Sequence, residues 1–192
     1  MKRDKKGGKN PIVFLAGFFL ICLCSCASRT SEKQLYSYLT NRAKFVLLPS
    51  GAIENPLDMA QFISASYMGQ NHYFHAWVKA NETGMDITMF SELGASMGDL
   101  SYRDGIVAFS SNVIPTSFKP EYIIADFQLC FYDPVLLRRA LEDCGLSLEM
   151  QGNTRRIFNR RNLIIEIEKT PDKVRFVNHL RGYVYTLEGD FE

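Results

Sequence analysis

The stretch HYFHAWVKANETGMDITMF, residues 72–90, decides the fold. Side chains of a β-strand alternate between its two faces. Here Tyr73, His75 and Trp77 fall on one face, and Phe74, Ala76 and Val78 on the other. Asn81-Glu82-Thr83-Gly84 interrupts the run with turn-forming residues, and Gly84 can take a positive φ. Alternation then resumes, with Met85, Ile87 and Met89 set against Asp86, Thr88 and Phe90. The pattern predicts a β-hairpin.

The same signal extends outward. Gln61–Met68 alternates and is followed by the turn pair Gln70 and Asn71; after Leu93-Gly94 another strand runs to Tyr102. Arg103-Asp104-Gly105 is a strong turn signal before Ile106–Ser110, which makes this half an antiparallel meander. Pro115 to Pro120 is a breaker-rich loop, and Glu121–Phe131 reads as a helix or a mixed segment. Asp133-Pro134 supplies a cap and a first-turn proline for a helix over Val135–Cys144, ended by Gly145. Strand patterns return at Leu146–Gln151, Arg155–Asn159, Asn162–Lys169, Lys173–Leu180 and Gly182–Glu188. The chain is therefore expected to be mainly β, with a helical insertion at about residues 120–145.

The N-terminus carries a second message. Lys2, Arg3, Lys5, Lys6 and Lys9 precede an apolar run from Ile12 to about Leu23, the order of a secretory signal peptide. A plain membrane helix is the competing reading, but roughly a dozen residues fall short of the ~20 that span a bilayer. Leu23-Cys24-Ser25-Cys26 resembles a bacterial lipobox. Cys22 follows Ile21 and Cys24 follows Leu23, both bulky, whereas Cys26 follows the small Ser25. The resemblance implies cleavage before Cys26 and acylation there, with two or more chains giving a stable anchor. Ala27 rather than Asp follows, which by resemblance to sorting in two-membrane bacteria implies the outer membrane. Residues 1–25 are then the signal peptide, 26–50 a lipid-anchored tether with a short helix at Glu32–Tyr38, and 51–192 the folded domain.

Composition narrows the function classes. The 22 Lys and Arg nearly balance 21 Asp and Glu, so the extended basic patch of a nucleic-acid binder is missing. Arg155, Arg156, Arg160 and Arg161 cluster, but strand alternation spreads them over both faces of a hairpin. Cys130 and Cys144 are open to two readings, a periplasmic disulfide or two small core residues. No HExxH, CxxC, phosphate loop or GxSxG motif occurs in the mature chain. His72 and His75 lie an odd number apart on one strand, hence on opposite faces, and are poorly placed to share a metal. No catalytic residue, metal site or cofactor is expected. The apolar content on both strand faces, with Met68, Met85, Met89 and Met97, fits either a packed β-core or a sheet curled round a cavity.

A family resemblance bears on that choice. The strand, the turn Asn81-Glu82-Thr83-Gly84, the second strand and then Met89-Phe90-Ser91-Glu92-Leu93-Gly94-Ala95-Ser96 resemble the outer-membrane lipoprotein receptors of the LolA/LolB superfamily, LolB in particular. Tyr102-Arg103-Asp104-Gly105, Ile123–Leu129 and Gly182-Tyr183 are similar to LolB-like lipoproteins encoded beside aryl-polyene biosynthesis genes. The resemblance implies an incomplete, half-open antiparallel barrel with a helical lid over an apolar cavity. It further implies an acyl-chain, polyene or lipoprotein cargo, an outer-membrane setting facing the periplasm, and a periplasmic LolA-like carrier as partner. Leu93, with Gly94, takes the place of the family's membrane-inserting loop. Phe62, Trp77, Met85, Ile87, Met89, Phe127 and Leu137 are expected to line cavity and lid. The alternative function is a non-catalytic lipoprotein that scaffolds an envelope complex.

Overall fold

The computed structural model describes residues 34–115 and 117–191. Residues 1–25, expected to be a signal peptide, and Cys26 lie outside the described residues. The elements in chain order are β1 (Tyr36–Tyr38), β2 (Lys44–Val46), β3 (Leu57–Tyr67), β4 (Gln70–Asn81), β5 (Gly84–Ser91), β6 (Ser96–Arg103) and β7 (Ile106–Ser110). Two helices follow, α1 (Glu121–Phe131) and α2 (Pro134–Asp143). The chain then forms β8 (Ser147–Gln151), β9 (Thr154–Asn159), β10 (Asn162–Lys169), β11 (Lys173–Asn178) and β12 (Tyr183–Glu188).

Ten strands make one antiparallel sheet in the order β7-β6-β5-β4-β3-β12-β11-β10-β9-β8. The sheet does not close: β7 and β8 remain as edges, giving the incomplete, half-open barrel that the family resemblance implies. Its two halves meet where β3 pairs with β12, Tyr67 opposite Tyr183 and Ile63 opposite Leu187. Register builds the inner face in rows. Phe109, Leu100, Ile87 and Val78 are successive partners across one half. Leu148, Ile157 and Ile165 run across the other.

Alternation holds in β4, where Ala76, Val78 and Ala80 are buried and His75, Trp77 and Lys79 exposed. The β4–β5 turn is the two-residue loop Glu82-Thr83, with Asn81 Oδ1 accepting from Thr83 N at 2.8 Å. Gly84 is needed there for a different reason from the one expected. Its φ is not positive; a Cβ would stand 2.8 Å from Arg103 Cγ and 3.1 Å from the Tyr102 carbonyl oxygen. The preceding turn is Met68-Gly69 instead of Gln70-Asn71, and both of its residues have positive φ.

Two further expectations are corrected, and one alternative left open is narrowed. Residues 34–50 belong to the folded unit and are not tether, because Leu39, Ala43, Phe45 and Leu47 are core residues. Tyr36–Tyr38 is a strand paired with Lys44–Val46, not part of a short helix. Cys130 and Cys144 are both free thiols. Each sulfur has a non-covalent partner, the Tyr185 hydroxyl at 3.8 Å for Cys130 and the Leu141 carbonyl at 3.2 Å for Cys144.

The second helix forms where the sequence puts it, and Glu121–Phe131, open between a helix and a mixed segment, is a helix. Asp133 caps α2, its Oδ1 accepting from Val135 N and Leu136 N at 2.9 Å each, with Pro134 in the first turn. The Leu137 and Leu141 side chains bury that helix against β8 and β2. Helix α1 lies on the concave side of the sheet and buries Ile124, Ala125, Phe127, Gln128, Leu129, Cys130 and Phe131.

Candidate functional site: an apolar cavity under α1

Helix α1 is held at fixed points, and space remains beneath it. Gln128 fastens its middle: Oε1 accepts from Leu48 N and Nε2 donates to the Leu48 carbonyl, each at 2.9 Å. The Tyr102 hydroxyl donates to that carbonyl as well, at 2.7 Å. Arg155 fastens the C-terminal end. Its guanidinium, 5% exposed, donates to the carbonyls of Leu129 at 3.1 Å and Tyr132 at 2.8 Å, and pairs with Glu54 at 2.9 Å. A cation is favourable there because the last helical carbonyls are unpaired and the helix dipole is negative at that end. Nearer the N-terminal end, the Tyr183 hydroxyl donates to Asp126 Oδ2 at 2.8 Å.

Between these fastenings and the sheet lies a cavity of ≈ 210 Å³. Ile123, Asp126 and Phe127 of α1 form its roof. Gln61, Ile63 and Ala65 of β3 face Phe74, Ala76 and Val78 of β4 across its floor. Ile87 and Met89 of β5 close one side, Tyr185 and Leu187 of β12 the other. Space exists because inward positions beneath Phe127 are occupied by the small Ala65 and Ala76. The lining is buried at Gln61, Ala76 and Val78 and half-buried at Ala65, Phe74 and Ile123, so the cavity opens toward the Met68-Gly69 end of the sheet.

Two polar groups interrupt this apolar lining. Gln61 is 3% exposed, and its Nε2 is buried without a hydrogen-bond partner. Burial pushes the Asp126 carboxyl up to about 7, against the opposing pull of the Tyr183 hydrogen bond and of Arg181. Burial likewise pushes the Cys130 thiol up to about 12 and the Tyr185 hydroxyl well above its ordinary value. A buried, protonated thiol of that kind is a poor nucleophile.

Of the seven residues expected to line the cavity, Ile87, Met89 and Phe127 do. Phe62 and Trp77 point the other way. Phe62 stacks on Tyr73 on the outer face, and Trp77 is half exposed there, its indole N–H donating to Asp58 at 3.0 Å. Met85 and Leu137 face inward but belong to solid core away from the cavity. The sequence reading missed Ala65, Ala76, Gln61 and Asp126. Alternation places Ala76 on the face opposite Trp77 without saying which face is inward, and small size on one strand face is the signal that could have marked the hollow. Leu93 and Gly94 sit together in the β5–β6 turn, Gly94 with φ of +80° and Leu93 97% exposed. Among the described residues, no group of three or more His, Cys, Asp or Glu is placed to hold a metal ion, and no helix is long and apolar enough to cross a membrane.

An open antiparallel sheet wrapped around a helix, with an apolar hollow between them, defines a half-barrel protein of the mainly β class. Within that class the chain belongs to the family described as "Protein of unknown function (DUF3261)", whose model matches residues 58–189. The match takes in both helices and all of the ten-stranded sheet except Leu57. No curated protein matches the chain.

Proposed function

We propose that this protein is an outer-membrane-anchored, periplasm-facing lipoprotein that shelters an acyl chain or similarly slender apolar cargo and releases it into the membrane. The observation that carries this reading is the cavity under α1, apolar apart from Gln61 and Asp126 and open at one end of the sheet. Burying a methylene is worth about 0.8 kcal/mol, so one acyl chain gains enough to leave water without any bond chemistry. At ≈ 210 Å³ the hollow is below the ~300–1,000 Å³ of common small-molecule sites, which favours one chain over a bulky multi-chain anchor. The resemblance to LolB-like lipoproteins and the lipobox at Cys26 support the compartment and the anchor. Cargo would come from a periplasmic carrier of the LolA kind.

Fluorescent fatty-acid titration and native mass spectrometry test this reading. The protein should co-purify with lipid and bind the probe at one site. A protein that is always empty and binds no probe would defeat the proposal. Leu93→Glu should leave binding intact and reduce delivery of cargo to acceptor vesicles; undiminished delivery would remove Leu93 from the mechanism.

A further inference from the structure

Antiparallel order sends the hairpin tips alternately to two ends of the sheet, and the β3–β12 pairing fixes the phase of the two halves. One end carries Met68-Gly69, the Glu92–Ala95 turn, Arg160-Arg161 and His179–Gly182. The other carries Glu82-Thr83, Asp104-Gly105, Gly152-Asn153 and the Thr170–Asp172 turn.

The two ends differ in chemistry. Three of the four tips at the first end present an apolar side chain to solvent: Leu93 is 97% exposed, Met68 81% and Leu180 52%. The fourth presents Arg160 and Arg161, both exposed, and exposed Arg181 follows Leu180. Glu92 is the one acid among these four tips. At the opposite end the tips themselves carry Glu82, Asp104 and Asp172 and no Lys or Arg; the flanking Arg103 and Lys173 are paired with Asp86 and Glu188, and the exposed large apolar side chains nearest these tips are Ile106 and Met150. Apolar apices beside arginines are costly in water and favourable where a bilayer offers hydrocarbon beneath anionic headgroups.

We propose that the end bearing Met68, Leu93, Leu180 and the Arg160-Arg161 pair is a docking surface for an anionic lipid bilayer. The inference rests on the membrane-delivery reading above and extends it from one loop to a whole end of the barrel. Charge complementarity and the position of the cavity opening support it. The half-buried lining at Ala65 and Phe74 lies toward this end, so docking sets the opening against the bilayer. Cys26 precedes Gln34 by eight residues, a reach of at most about 30 Å, and Gln34 begins the segment whose Tyr38 carbonyl accepts from Arg181 at this end.

The test is flotation of residues 26–192 carrying Cys26→Ser, which leaves no acyl anchor, with vesicles of phosphatidylglycerol and phosphatidylcholine or of phosphatidylcholine alone. The protein should float with the anionic vesicles and only weakly with the neutral ones. Arg160→Ser/Arg161→Ser should lower affinity about 25-fold on anionic vesicles alone. Met68→Ser and Leu180→Ser should each lower it about tenfold on the anionic vesicles. Glu82→Ser/Asp172→Ser, at the opposite end, should not weaken binding. Circular dichroism checks that each variant is folded. Failure of the parent protein to float, or equal losses from the two ends, would overturn the docking surface. Fatty-acid titration of the same proteins separates the two ideas: intact probe binding without flotation defeats docking and leaves the carrier reading standing.

Discussion

Ala76→Leu distinguishes a cargo cavity from a solid core by the sign of its effect. Ala76 is 1% exposed, sits on the inward face of β4, and its methyl group borders the ≈ 210 Å³ hollow under Phe127. Leucine adds three carbons at that position. At about 0.8 kcal/mol for each carbon buried, the gain is roughly 2.4 kcal/mol. Fixing the longer side chain costs about 0.5–1 kcal/mol, leaving a net stabilisation of roughly 1.5–2 kcal/mol. The urea midpoint should therefore rise by about 1 M, given a slope of ~1–3 kcal/mol per M for a small domain. The leucine would occupy the space that cargo needs, so fluorescent fatty-acid affinity should fall at least tenfold. A tightly packed interior gives the opposite sign, since overpacking costs about 1–3 kcal/mol. Loss of stability, or a gain in stability with unchanged probe affinity, would refute the assignment of this hollow as the cargo site.

Arg155→Met should destabilise the fold by about 2–4 kcal/mol in urea unfolding, because it leaves the buried carbonyls of Leu129 and Tyr132 without a donor, while Glu54, 40% exposed, is taken up by water. The Asp126 carboxyl rises from 3.8 to about 7 on folding, so the folded state holds an extra proton between those values. Its contribution to stability therefore falls as pH rises from about 4 to about 7 and is level above, and Asp126→Asn should remove that slope from thermal unfolding curves taken across this range. Thiol titration of the mature chain carrying Cys26→Ser should count two free thiols in denaturant without reductant. In the native state Cys130 should stay unreactive, whereas the half-buried Cys144 should react slowly.

Strand alternation at residues 72–90 was sufficient to predict the hairpin, and Asp133-Pro134 to predict α2, because both are local signals that tertiary packing reinforces. Residues 34–50 misled because β1 and β2 are three residues each, too short to show a period, and their polar positions read as tether. The cavity was legible in part. Inward-facing Ile87 and Met89 follow from alternation, but alternation does not tell Met85, which meets solid core, from Met89, which meets the hollow. That difference is set by where α1 crosses the sheet, a placement fixed by Gln128 with Leu48 and by Arg155 with Leu129, across long sequence separations. Trp77 shows the limit from the other side. Its size suggests a lining role, but alternation alone does not orient its face, and the structure turns that face, with His75 and Lys79, to water.

The junction of the two half-sheets has a consequence for how the molecule comes into being. Tyr185 and Leu187, one wall of the hollow, belong to the strand that pairs with β3, its partner from far earlier in the chain. Contacts so distant in sequence close late and slowly. A nascent chain released as far as β7 has a meander but no container. The cavity exists only after β12 has been synthesised and has docked at the centre of the sheet. Cargo capture is thereby ordered after completion of the fold, and a chain truncated before Tyr183 would lose the binding site and the join between its halves in one step.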